Sequence, residues 1–292
     1  MISFISRRKE TVSFSAFLIL GCFLTSAAFA QMTAPVHAAE QKDTASSQTQ
    51  IEKPKRKLPT GLLQLQGFKD PVYLYVPEGL EAEKKYPLLV MVPSETHTPE
   101  EQLEYMVPTA KSLECFVLAP HNTWPKDTPY EIDKWLLKVK SEIMSRFPID
   151  SSKVFAIGRD YGAQYAAYLV TAYPEEFSGA ALMGEAWEGP FTSLLKPRQN
   201  AVEQLPVVAA FTADQQNQKT KNEKWVLEYQ RLGYPVQVMT PPEGQDFNSP
   251  EFKVAVLEWL DQKAKAWKLV REEKNKTLKQ RLKKGIKDFF EV

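Results

Sequence analysis

The sequence predicts an α/β fold: a mostly parallel sheet of about eight strands with helices on both faces. Three observations lead there. From residue 58 onward, short apolar runs alternate with amphipathic segments of helical period. The stretch Val154-Phe155-Ala156-Ile157-Gly158-Arg159-Asp160-Tyr161-Gly162-Ala163 passes from an apolar run through a Gly-Xaa-Asp-Xaa-Gly turn into an alanine-rich helical segment. Before the alternation begins, two alternating segments flank a Gly67–Pro71 turn, the pattern of an antiparallel hairpin.

Taken in order, the hairpin strands are expected over residues 62–66 and 72–76. Residues 87–92 form a continuous apolar run, as a central strand covered on both faces requires. Residues 99–113 read as a helix and 115–119 as a buried strand. Ile132, Leu136, Val139 and Ile143 fall at helical spacing within 130–147. Residues 154–157 feed the glycine-flanked turn, and 161–173 form the helix that leaves it. Three more strands follow at 179–183, 207–211 and 236–239, with an amphipathic helix over 221–232 and a helix from Pro250 onward. In open sheets of this kind ligands bind beyond the carboxyl ends of the strands. The loops of interest therefore begin at Pro93, Pro120, Gly158, Gly184, Thr212 and Thr240.

The chain has 292 residues, 43% of them hydrophobic and 25% charged, which is ordinary for a globular protein. Its net charge of +1 gives no argument for nucleic-acid binding. Residues 1–30 read as a signal peptide: Arg7, Arg8 and Lys9 precede an apolar run, and Ala28-Phe29-Ala30 fits the small-Xaa-small cleavage rule. This predicts a secreted or periplasmic protein beginning at Gln31. A weaker alternative is a lipoprotein acylated at Cys22. Residues 31–57 are polar and aperiodic, a disordered linker that contains His37. Residues 58–268 form the domain, and 269–292 a basic C-terminal helix. Cleavage leaves Cys115, expected to pack as a small buried hydrophobe.

Strand, tight turn and helix together describe a nucleophile elbow, whose glycines let strand and helix approach closely. Several segments in their order resemble the α/β-hydrolase superfamily, in particular secreted esterases of the feruloyl-esterase and polyhydroxybutyrate-depolymerase type. They are Val72-Tyr73-Leu74-Tyr75-Val76-Pro77, Tyr86-Pro87-Leu88-Leu89-Val90, Ile149 to Gly158, Tyr173-Pro174-Glu175-Glu176-Phe177-Ser178-Gly179-Ala180 and Phe211-Thr212-Ala213-Asp214. The resemblance implies an α/β-hydrolase fold and a triad of nucleophile, histidine and acid with an oxyanion hole.

The triad-equivalent positions are altered. Asp160 stands where the serine nucleophile is expected. Asp214 matches the acid. Gln245, in Glu243-Gly244-Gln245-Asp246-Phe247, stands where the histidine is expected, and glutamine cannot shuttle a proton. No histidine follows His121. The oxyanion-equivalent residues are Pro93, Ser94 and Tyr161, and Pro93 has no N–H to donate. Two readings of Asp160 follow. It caps the helix after it, where its charge suits the helix dipole. Or it is the centre of a rebuilt site with His97 or His121 as base, both of which lie on loops of the same face. The bland reading of both histidines is that of ordinary surface-loop residues.

The first function predicted is thus an esterase-like protein without classical serine-esterase activity, a binding or structural pseudoenzyme. The alternative is an active hydrolase of ester or epoxide type centred on Asp160. No cofactor or metal is expected, since no ligand spacing supports one. Trp124, Trp187 and Phe191 are expected either to line the cleft, where they suit a small-molecule or carbohydrate ligand, or to pack beneath a lid. The basic residues from Lys263 to Lys287 outnumber Glu272 and Glu273, and Leu278, Leu282, Ile286 and Phe289 fall on one helical face. Such a helix lies on an anionic membrane or an acidic partner, or docks on its own domain.

Overall fold

The computed structural model describes residues 58–121 and 130–290, with the backbone alone at 130, 275, 278, 279 and 282–290. The expected signal peptide, the linker, Cys22, His37 and Trp124 lie outside the described residues. So do the side chains of the apolar stripe at Leu278, Leu282, Ile286 and Phe289.

Strands β1 (Gly61–Leu65) and β2 (Val72–Val76) pair antiparallel, as the hairpin pattern requires. Strand β3 (Tyr86–Met91) is followed by helix α1 (Pro99–Ser112) and β4 (Phe116–Pro120). Helix α2 (Tyr130–Arg146) leads to β5 (Ile149–Arg159), and α3 (Tyr161–Ala172) to β6 (Gly179–Met183). Strand β7 (Val207–Ala210), helix α4 (Gln216–Leu232), β8 (Val236–Met239) and α5 (Pro250–Phe290) complete the order. The strands form one eight-stranded sheet in the order β1-β2-β4-β3-β5-β6-β7-β8. From β4 to β8 every pairing is parallel.

The continuous apolar runs are explained by two buried faces. In β3, Leu88 and Val90 enter one core with Leu136, Val139 and Ile143 of α2 and Ala163 and Ala166 of α3. Leu89 and Met91 alternate into the other, with Leu103 and Met106 of α1 and Val256 and Leu260 of α5. Strand alternation of period two thus divides one apolar run between two layers. The parallel crossovers bring the carboxyl ends of β3, β5, β6, β7 and β8 to one edge, where the loops that carry the site begin.

Two elements exceed the sequence expectation. Strand β5 spans eleven residues because its polar start at Asp150-Ser151-Ser152 still pairs beside β3 at Ile149 and Tyr86. Helix α4 begins at Gln216, five residues ahead of its apolar pattern. Cys115 packs as expected: it is buried, and burial pushes its thiol up to about 12.

Candidate functional site

Asp160 sits at the bend between β5 and α3 with φ 47° and ψ −122°, a backbone conformation that non-glycine residues rarely adopt. The flanking glycines make the bend physically open. A Cβ at Gly158 would lie 2.4 Å from Ala163 Cα and from Gly162 O, and one at Gly162 would lie 3.2 Å from Ser94 Cβ. At Gly158 only glycine permits strand and helix to meet this closely, and at Gly162 a side chain would fit only tightly. The backbone N–H of Asp160 donates to Met183 O at 2.8 Å, tying the bend to the end of β6.

Asp160 is the N-cap residue of α3, as the capping reading places it, but the capping bond that reading implies is not made. Its side chain makes no capping hydrogen bond to α3. The carboxylate turns instead into the cleft, where Oδ2 lies 2.8 Å from His97 Nε2. The Asp160 side chain is 44% exposed and that of His97 19%. With a carboxylate as its neighbour, Nε2 is assigned as the donor. The other oxygen, Oδ1, lies against Gly184, where a Cβ would come within 2.7 Å of it. Gly184 has φ +88° and no side chain, and so leaves the carboxylate its seat.

His97 is held by the start of α1. Thr98 Oγ1 accepts from the Glu101 N–H, and Glu101 Oε2 accepts from the Thr98 N–H. This capping box, with Pro99 at the first helical position, sets the angle at which the chain enters the helix. His97 immediately precedes it. The pattern Thr98-Pro99-Glu100-Glu101 is visible in the sequence and is the signal that would have singled out His97 over His121. His121 stands at the end of β4 with its backbone N–H on Pro71 O and its side chain exposed, without a partner among the described residues. The surface-loop reading therefore describes His121 and not His97.

The remaining triad-equivalent side chains make no hydrogen bond or ion pair with Asp160 among the described residues. Asp214 is exposed, and its side chain makes no hydrogen bond or ion pair among the described residues. Gln245 is exposed and accepts through Oε1 from Ser249 Oγ at 3.1 Å. Their neighbours Gln215 and Phe247 turn inward instead: the Gln215 amide nitrogen and the Phe247 ring stand 3.3 and 3.6 Å from where a Cβ on Gly184 would be. Ser94 is fully buried with its hydroxyl on Thr96 Oγ1 at 2.9 Å, while Tyr161 is 45% exposed. Trp187 and Phe191 do not line the cleft. Both are buried in the core, Phe191 stacked on Tyr165 and Tyr168, and Trp187 against Tyr229.

Beside His97 a cleft of about 380 Å³ opens, bounded by α1, the end of β5 and the start of α5. Arg159, Tyr105 and Lys253 line it, none of them singled out by sequence reasoning. Lys253 falls in the apolar spacing of α5 and gives no signal of its own, whereas Arg159 is adjacent to Asp160. Among the described residues no group of three or more His, Cys, Asp or Glu side chains is arranged to hold a metal ion. Chemically, a carboxylate at the elbow is suited to hydrogen bonding or to attack on saturated carbon. Its attack on an ester carbonyl would give a mixed anhydride, more reactive than the ester it came from.

No protein-family model matches the chain, and no curated protein does. Among solved structures it is similar to a thermostable esterase with TM-score 0.51 and 19% identity, covering 69% of this chain and 62% of that one. It therefore spans less than two thirds of that esterase's length. It is similar to S-formylglutathione hydrolase (FrmB) from Staphylococcus aureus, with TM-score 0.52 and 11% identity over 70% of this chain and 97% of that one. The BES protein from Bacillus cereus gives TM-score 0.52 and 11% identity over 71% and 98%. Identities this low speak to the fold, and the sheet order, the sharp bend at Asp160 and these neighbours agree: the chain has the α/β-hydrolase fold found in esterases.

Proposed function

We propose that this is an exported, esterase-like protein that does not turn over esters by serine chemistry and instead binds a small molecule in the cleft beside Asp160. One observation carries the reading: the nucleophile position holds a carboxylate already engaged by His97 at 2.8 Å, while Asp214 and Gln245 face solvent. The nucleophile position itself carries no hydroxyl, and among the described residues neither Asp214 nor Gln245 hydrogen-bonds to His97 or Asp160. The expected result is that short-chain p-nitrophenyl esters are hydrolysed no faster than in buffer. Ester turnover by the purified protein that disappears in Asp160→Ala would overturn the reading. Export rests on the basic n-region, the apolar run and Ala28-Phe29-Ala30, and N-terminal sequencing of the mature chain is expected to begin at Gln31.

A second reading is an active hydrolase whose nucleophile is Asp160. Its support is the strained backbone of a residue whose side chain makes no capping bond and is paired with a histidine. Attack of a carboxylate oxygen on an epoxide carbon forms an alkyl ester and opens the ring. The alkoxide then takes a proton, and water cleaves the ester to regenerate the carboxylate. An epoxide panel separates the two readings: diol formation lost in Asp160→Asn favours the hydrolase, and its absence favours the binding protein.

A further inference from the structure

We propose that the cleft beside His97 is an anion site, built to take the carboxylate or phosphate of a small organic ligand between Arg159 and Lys253. The inference rests on the binding reading above and names the ligand class for that cleft.

Lys253 is 2% exposed, yet its ammonium has no carboxylate partner among the described residues. Its Nζ donates to the backbone carbonyl of Tyr105, which uses one of three N–H donors. Arg159 likewise makes no ion pair among the described residues. Both cations stand on one ring: Arg159 Cζ is 3.9 Å and Lys253 Nζ 4.0 Å from the Tyr105 centroid. The Tyr105 hydroxyl is buried between these elements and has no hydrogen-bond partner among the described residues. A buried ammonium and a neighbouring guanidinium on one ring, whose own hydroxyl is buried without a partner among the described residues, are costly to maintain without a ligand. A bound anion supplies a direct counter-charge, which Glu101 and Asp246 give only without ion-pair contact.

The cleft also carries Glu101 and Glu104 on its α1 side. Glu101 is held in the capping box by Thr98, and neither carboxylate forms an ion pair with Arg159 or Lys253. They bound the site and select against ligands that carry charge all round.

The protonation of Lys253 gives the site a pH signature. Burial, and then the charge of Arg159, lower its pKa to about 8, with Asp246 acting weakly the other way. The other ionisable groups facing this wall are His97, Tyr105, Glu101 and Glu104, and Asp160 acts on Tyr105 through its charge. An anion binds the protonated form, so affinity holds below about pH 8 and falls as pH rises above it.

The test is isothermal titration of the full-length protein with benzoate, benzyl alcohol and inorganic phosphate, at pH 7 and pH 9. Benzoate or phosphate is expected to bind at pH 7 and benzyl alcohol not to. Arg159→Gln and Lys253→Met are each expected to weaken the anion at least about tenfold, as loss of a charge-assisted hydrogen bond does. Lys253→Met should also lose the fall in affinity between pH 7 and pH 9. Benzoate preferred over phosphate identifies an organic acid as the ligand, and the reverse a phosphorylated one. The proposal is overturned if neither anion binds, if benzyl alcohol binds as well as benzoate, or if both variants bind like the parent. Thermal unfolding checks the fold of both variants, and Lys253→Met is expected to melt no lower than the parent because it removes an uncompensated buried charge. Absence of anion binding together with absence of ester turnover would end this inference and leave the binding reading standing. Ester turnover would end that reading whatever the anions do.

Discussion

Asp160 is the residue on which the site turns, and its backbone carries a cost. At φ 47° and ψ −122° a non-glycine residue is strained by about 1–3 kcal/mol. The contact with His97, half exposed on the aspartate side, offsets only part of that. A comparison of two variants isolates the strain, since Asp160→Ala and Asp160→Gly both lose the carboxylate. The glycine variant is expected to be more stable than the alanine variant by about 1–2 kcal/mol in urea unfolding, because glycine alone adopts this conformation freely. Equal stabilities would show that the bend is relaxed. Gly184 belongs to the same arrangement, since any side chain there meets the carboxylate.

At the scale of elements, helix α3 is fixed to α2 by a buried carboxylate. Asp133 is fully buried and accepts hydroxyl hydrogen bonds from Tyr165, Tyr168 and Tyr173. Burial raises its pKa, and the three hydroxyls work against that rise. Since α3 begins at the elbow, this cluster holds the helix that Asp160 precedes. Asp133→Ala removes the acceptor that the three hydroxyls share and is expected to cost about 3 kcal/mol or more, read as a lower urea midpoint. Asp133→Asn keeps an acceptor and is expected to cost less. A loss under about 1 kcal/mol in the alanine variant would mean that the cluster is bridged some other way. None of this was legible in advance: tyrosines at positions 165, 168 and 173 look like ordinary helix spacing, and the partner lies on another helix.

For the whole molecule, the C-terminal segment is set apart by its contacts. Helix α5 runs unbroken from Pro250 to Phe290, through the boundary expected at 268/269. Its first part belongs to the core, with Val256, Leu260 and Ala264 buried. Beyond Arg271, which lies over the Trp267 ring, every described side chain is exposed. Removal of residues 272–292 is therefore expected to shift the melting temperature by no more than about 1–2 °C, as for surface changes in a domain of this size. A much larger drop would show that the segment packs on its own domain. The same truncation is expected to abolish co-sedimentation with anionic vesicles, if the basic face is a membrane contact.

By itself the sequence determined the architecture. Apolar period and turn chemistry are local, so the hairpin, the alternating strands and helices and the glycine-flanked bend were all legible from the residues. Missing groups were legible too: no serine at the elbow and no histidine after His121. What only the tertiary structure decided is which side chains meet. His97 and Asp160 lie 63 residues apart, and their contact depends on how the loops after β3 and β5 close over one edge of the sheet. The same closure turns Gln215 inward rather than Asp214, and Phe247 rather than Gln245. It buries Lys253 beside Arg159 from the far end of the chain. Side-chain direction in loops is set by long-range packing, which leaves no period in the sequence. The elbow could thus be read from its glycines, but the partner of its aspartate could not.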